Sequence, residues 1–174
     1  MRLDAPSIRR ARQEEAPLLA AAERAIASVP GTLASRPEEI DDAAVRNKIL
    51  DLDLDDRGRG IYLVAEQAGT VVGHAFLEPL SLAATSHVVR LTIAVHEGHQ
   101  RQGVGRALMN ELLSWAQSNP RVEKVELQVR SSNERAITLY RALGFDEEGR
   151  KTRRLKLGPS EYLDDVYMAL WVGP

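Results

Sequence analysis

The sequence predicts a single α/β (α+β) domain over residues 1–174, and three observations carry that prediction. Apolar residues recur at every second position in some stretches and at every third or fourth in others, and the two kinds of stretch interleave along the chain. A length of 174 residues with 44% hydrophobic and 28% charged residues suits one core, whereas two domains would each fall below the size at which burial becomes comfortable. No Ser-, Gly- or Pro-rich linker divides the chain.

The elements follow in order. Leu3 to Arg10 reads as a short edge strand, and Arg12 to Ser28, rich in alanine and leucine, as a helix that ends at Pro30-Gly31. Pro37 opens a second helix through Lys48, with Glu38, Glu39, Asp41 and Asp42 in its first turns where the helix dipole favours negative charge. The run Asp51 to Asp56 reads as the start of a loop. Ile61–Ala65 and Val71–Leu77 form a hairpin through a turn at Gln67 to Thr70. Val88 to Val95 alternates as a strand and stops at His96-Glu97-Gly98. Val104, Leu108, Leu112 and Trp115 mark one face of a long helix closed by Asn119-Pro120. Val125, Leu127 and Val129 alternate with polar residues in a strand with one wet face, and Asn133 to Leu143 is a helix ended by Gly144. Phe145–Leu157 and Tyr162–Val172 make a terminal hairpin across Gly158-Pro159-Ser160.

Composition excludes several kinds of function. A net charge of -2 lacks the electrostatic pull of non-specific nucleic-acid binders, so no nucleic-acid partner is expected. The absence of cysteine removes disulfides, thiolate zinc sites, iron–sulfur clusters and acyl-cysteine chemistry. Glu14, Glu15 and Glu23 interrupt the first thirty residues, which therefore read neither as a secretion signal nor as a membrane span; a cytoplasmic location without a membrane partner is expected.

The informative segment is Gln100-Arg101-Gln102-Gly103-Val104-Gly105, between a strand and a long helix. Glycine lets a backbone approach a ligand closely, and the free N–H groups of a helix's first turn favour an anion. A lone Gly-x-Gly also starts helices that bind nothing, so its neighbours must decide. Gly98 and Gly103 have the spacing of a nucleotide-hydrolase phosphate loop, but Val104-Gly105 follows where Lys and Ser or Thr are needed. A dinucleotide fingerprint requires a small residue where Leu108 stands.

The segment resembles the acetyl-CoA signature of the Gcn5-related N-acetyltransferase (GNAT) family, Gln/Arg-x-x-Gly-x-Gly/Ala. Leu91-Thr92-Ile93-Ala94-Val95 before it is similar to that family's central strand. Downstream, Asn133 to Tyr140 followed by Gly144-Phe145 resembles its second motif, Asn-x-x-Ala-x-x-Leu-Tyr with Gly-Phe. The resemblance implies a mixed, mostly antiparallel central sheet with helices on both faces and acetyl-CoA as co-substrate. It places the cofactor's diphosphate on Gln100, Arg101, Gln102, Gly103, Val104, Gly105 and Arg106, and its pantetheine arm along Ile93, Ala94 and Val95, where splayed strands leave amides to bond it. Asn133 would contact the cofactor, cap its helix, or do both. Tyr140 would be the general acid that protonates the departing thiolate, its ring also serving packing.

The base is left open. Many members of the family carry a glutamate on the central strand, where this chain has Arg90, Leu91 and Thr92. Glu23, His74, Glu78, His87 and His96 are the candidates. No metal is expected, since in His96-Glu97-Gly98-His99-Gln100 a glutamine stands where a zinc helix needs its second histidine. The implied reaction is acetyl transfer to a primary amine of a small molecule, by direct attack in a ternary complex. An N-terminal peptide acceptor and a non-catalytic acyl-CoA-binding module are the alternatives, and a homodimer is allowed. The acidic segment Glu38 to Asp56 leans toward small cationic amines.

Overall fold

The computed structural model describes residues 5–55 and 58–174. Its centre is a seven-stranded sheet of β1 (Ser7–Arg10), β2 (Ile61–Gln67), β3 (Thr70–Pro79), β4 (Val88–Val95), β5 (Lys124–Arg130), β6 (Asp146–Lys156) and β7 (Tyr162–Trp171). They lie in the order β1-β2-β3-β4-β5-β7-β6. Every neighbouring pair is antiparallel except β4 with β5. The hairpin between β2 and β3 turns through Ala68 and Gly69 at φ 50° and 78°, the paired positive angles that match the twist of the flanking strands. Among the described residues no helix is long and apolar enough to cross a membrane.

Four helices cover both faces: α1 (Ala16–Ala27), α2 (Asp42–Asp53), α3 (Val104–Ser118) and α4 (Glu134–Ala142). The helical stripe read from the sequence is the buried one. Val104, Leu108, Met109 and Leu112 of α3 and Ile137 and Tyr140 of α4 pack on Leu63, Ala75, Leu77, Leu91, Leu127 and Val166 of the sheet. On the opposite face Leu19, Ala20, Val45, Ile49 and Leu52 of α1 and α2 cover Tyr62, Val64 and Phe76. A strand buried on both faces reads as a continuous apolar run, which is the pattern of Ile61 to Ala65.

Three boundaries differ from the sequence reading. Residues Gln13–Glu15 form a 3-10 turn, and the α-helix starts at Ala16 with Pro17 in its first turn, where a missing N–H costs nothing. Pro37–Glu39 is another isolated 3-10 turn, after which Ile40 is extended and Asp41 caps α2 by accepting from the Ala44 N–H at 3.3 Å. The helix therefore begins later than predicted and runs through Asp51, Leu52 and Asp53, which the sequence assigned to a loop. Leu52 is buried, so packing overrides the turn character of its acidic neighbours. Leu3 and Asp4 of the predicted first strand, and Asp56 of the predicted loop, lie outside the described residues.

Candidate active site

Strand β4 pairs with β5 only from Val88 to Arg90, opposite Lys124 to Glu126. Beyond that point β4 follows β3 as far as Val95, while β5 follows β7 as far as Arg130. The His96 N–H donates to the Val72 carbonyl at 3.0 Å. Strand alternation then turns the main-chain groups of Ala94 toward β3 and those of Ile93 and Val95 toward the opening between β4 and β5. A cleft of about 600 Å³ occupies that opening, and Ile93, Ala94 and Val95 line it.

The turn that leaves β4 forms one end of the cleft. Gly98, Arg101 and Gly103 all have positive φ. Gly103 is the N-cap of α3 at φ 83°, a conformation that costs an ordinary residue about 1–2 kcal/mol, and it offers no side chain to the helix end. The first intrahelical bond is Ala107 N–H to the Gly103 carbonyl, so the N–H groups of Val104, Gly105 and Arg106 have no helical acceptor. Gln100, Arg101, Gly103, Val104, Gly105 and Arg106 line the cleft, joined by His99. Gln102 does not; its amide donates to the Gly98 carbonyl at 2.9 Å and braces the turn instead. Gln100 donates to the Val95 carbonyl at 3.3 Å, tying turn to strand.

Helix α4 supplies the floor through Asn133, Arg135, Ala136, Leu139 and Tyr140. Asn133 caps the helix by accepting from the Ala136 N–H at 3.1 Å. Tyr140 is 7% exposed, tilted against Phe145 at 5.9 Å between ring centroids. Burial pushes its phenol up to about 12, so the hydroxyl stays protonated at neutral pH. Ile26, Thr32 and Leu33, from the end of α1 and the segment after it, close the other side.

A model of the acetyltransferase (GNAT) family matches residues 26–145, more than half of the chain. The chain belongs to the GNAT family. It is 36% identical over 107 residues to the L-amino acid N-acetyltransferase AaaT of Escherichia coli, a match covering 62% of this chain and 65% of that one. It is 33% identical over 100 residues to the N-alpha-acetyltransferase RimI of Mycobacterium tuberculosis, covering 58% of this chain and 61% of the other. In both cases the match spans less than two thirds of the curated relative's length. The fold superposes with a TM-score of 0.87 on YncA of Salmonella typhimurium, a structure with acetyl-CoA, at 22% identity and covering 98% of this chain and 96% of that one. At that identity the likeness shows a shared fold.

In this GNAT chain the base candidates separate into two groups. Glu78 is held in an ion pair with Lys48, and His87 stands edge-on to Trp171 at 6.4 Å. The other three are joined. His74, fully buried on β3, places Nε2 3.0 Å from Glu23 Oε1 and Nδ1 3.0 Å from His96 Nε2, while His96 Nδ1 lies 3.1 Å from the Val71 carbonyl. The carbonyl can only accept, so His96 carries its proton on Nδ1. Burial, then the neighbouring His74, push His96 down to about 4, so its Nε2 is bare at neutral pH and accepts from His74 Nδ1–H. His74 Nε2 faces Glu23 Oε1 at the outer end of this chain. Tyr62 stacks on His74 at 5.9 Å and shields it. Its buried phenol is pushed above its usual range, first by desolvation and then by Glu23.

The acidic segment that leaned toward cationic acceptors serves local structure instead. Asp42 pairs with Arg24, Asp53 with Arg10, Glu39 accepts from the Arg36 N–H and Asp41 caps α2; none of these lines the cleft. His99, Arg135, Ile26, Thr32 and Leu33 line the cleft without having been singled out from the sequence. Leu139, the leucine of the Asn-x-x-Ala-x-x-Leu-Tyr motif, lines the cleft from the same face of α4 as Ala136 and Tyr140.

The His96 environment predicts a pH effect on stability. The fold prefers neutral His96, so this contribution is fully present above pH 6.5, the group's ordinary value, and is lost as pH falls toward about 4, amounting to roughly 3 kcal/mol. Urea unfolding of His96→Asn, whose amide still donates to Val71, should show a flatter decline between pH 6.5 and 4 than the parent. An unchanged slope would remove His96 from this account.

Proposed function

We propose that the protein is an acetyl-CoA-dependent N-acetyltransferase that acetylates a primary amine of a small molecule. The observation that carries the reading is one cleft bounded by the opened β4 edge, the uncapped start of α3 and the buried Tyr140 hydroxyl. The residues present fit the cofactor. Free N–H groups at α3 with Arg101 and Arg106 beside them suit a diphosphate, and gap-facing main-chain groups of Ile93 and Val95 suit the amides of a pantetheine arm. Asn133 both caps α4 and faces the cleft, so the two roles weighed from the sequence are compatible.

Acetyl-CoA would supply the acetyl group as a thioester, and the acceptor amine would attack it directly in a ternary complex with no acetyl-enzyme. Tyr140, protonated across the physiological range, donates its proton to the departing sulfur. An alkylammonium with pKa near 10 is neutral only about one part in a thousand at pH 7, so the enzyme must also take a proton. The Glu23–His74 pair is the group we assign to that task. Glu23 lies one helical turn from the cleft residue Ile26, its side chain is 22% exposed, and the His74–His96 chain behind it holds its carboxylate in place. The same chain compensates for the family's missing strand carboxylate at Arg90 to Thr92.

The similarity to an N-alpha-acetyltransferase supports a second reading, with a protein N-terminus as acceptor. The cytoplasm is the compartment proposed for either activity.

Acetyl-CoA should raise the melting temperature, because a ligand selective for the folded state stabilises it by mass action. Gly103→Val, which forces a β-branched side chain into φ 83°, should lose that rise. A full shift in the variant means the turn does not hold the cofactor.

Tyr140→Phe should keep cofactor affinity and lower kcat on the order of 100-fold, the usual range for one general acid. Undiminished turnover, with chemistry shown to limit the rate, reduces Tyr140 to a packing residue.

Glu23→Gln should likewise preserve the acetyl-CoA-induced shift while kcat near pH 7 falls about 10- to 100-fold. The deficit should shrink as pH approaches that of free amine. A deficit constant across pH assigns Glu23 a structural role only.

A further inference from the structure

A second cavity of about 510 Å³ lies beside the cofactor cleft, and Leu33 lines both. Its walls are the segment that follows α1, Gln128 on β5, Asp165 on β7 and the end of β6. Three cations face it: Arg36 from the α1–α2 connection, and Arg154 and Lys156 from β6. The carboxylate in its lining, Asp165, is 2% exposed and already paired with buried Arg130. Among the described residues no carboxylate lies within ion-pair distance of the side chains of Arg36, Arg154 or Lys156; the Lys156 ammonium rests over the Tyr162 ring at 5.9 Å. Burial acts against the charged form of Arg130, Tyr167 favours it and the charge of Arg154 opposes it.

On this chain some cations meet anions and others do not. Arg9 binds Glu15 and Glu66, Lys124 binds Glu126 and Glu148, and Arg141 and Arg150 bind Glu147. Among the cations without an ion pair, Arg36, Arg154 and Lys156 line one concave surface whose carboxylate, Asp165, is already engaged, and that arrangement suits an anionic ligand. A guanidinium fork suits a planar oxyanion and holds it by paired hydrogen bonds.

We propose that this cavity is the acceptor's second subsite, taking a carboxylate or a comparable oxyanion, so that the substrates are small amines of the amino-acid class rather than polyamines. The inference rests on the N-acetyltransferase reading, since it names the acceptor of that same site. The amine reaches past Leu33 into the cofactor cleft while the oxyanion stays among Arg36, Arg154 and Lys156. Polyamines would bring further positive charge into the cavity and are disfavoured by repulsion.

The experiment has two independent readouts. CoA thiol release is measured for amino acids, their carboxamides, the matching decarboxylated amines, aminoalkylphosphonates and an acidic peptide with a free N-terminus. Acceptors with an oxyanion should exceed their carboxamides in kcat/KM by about 10- to 100-fold, the range for a hydrogen bond to a charged group, and phosphonates against carboxylates report which oxyanion fits. Arg154→Gln and Arg36→Gln should each collapse that ratio while the melting shift with acetyl-CoA shows the protein folded. Calorimetric binding of the des-amino carboxylates reads the subsite without any turnover, and should weaken in the same variants. Equal kcat/KM for carboxylates and carboxamides, with no carboxylate binding, overturns the subsite. A preference for the acidic peptide over every free amino acid overturns the small-molecule assignment. Carboxylate binding with no CoA release from any amine would uphold the subsite and refute the transferase reading, so the two failures are distinguishable.

Discussion

Everything at this site follows from the loss of pairing between β4 and β5 after Arg90. A strand inside a sheet needs hydrogen-bond partners on both sides, and Ile93 and Val95 present their main-chain groups to an opening instead. The opening stays wedge-shaped because each strand is fixed on its other side, β4 by β3 to Val95 and β5 by β7 to Arg130. Helix α3 starts just beyond the end of the released edge, and α4 places Tyr140 beneath it. Closing the sheet would satisfy the backbone and remove the cleft.

The two faces of the sheet divide the work. The larger core, under α3 and α4, holds Val104, Leu108 and Tyr140 in place and with them the proposed cofactor contacts. The smaller core, under α1 and α2, carries Tyr62 and Phe76, which stack at 4.9 Å and lead to His74. His74 thus lies on the opposite face of the sheet to Tyr140. In the proposed mechanism the proton donor and acceptor therefore sit in separate environments, which would set their proton affinities independently.

Legibility in the sequence followed chain distance. The turn from Gln100 to Arg106 and the α4 face from Asn133 to Tyr140 are local patterns, and each element was recognisable from its own residues. The exception among them is Gln102, which a motif cannot separate from its neighbours because only its rotamer turns it toward Gly98. Glu23, His74 and His96 were readable only as separate candidates. They are up to 73 residues apart and meet through sheet register, which pairs His74 with Ala94. The cations of β6 were hidden for another reason: Arg154 and Lys156 sit on an edge strand, where charge ordinarily discourages aggregation. The late start of α2 was missed because Pro37 signals a helix as strongly for one 3-10 turn as for three α-helical turns.

One residue, Leu33, lines both hollows, and it belongs to the connection between α1 and α2, of which only Ile40 packs against the smaller core. Exchange of residues along that connection alters the reach and charge of whatever enters, while the packed helices and strands beneath keep their shape. Under the proposed function, a change in this short segment would alter which acceptors enter while the elements on the far side of Leu33 keep their shape.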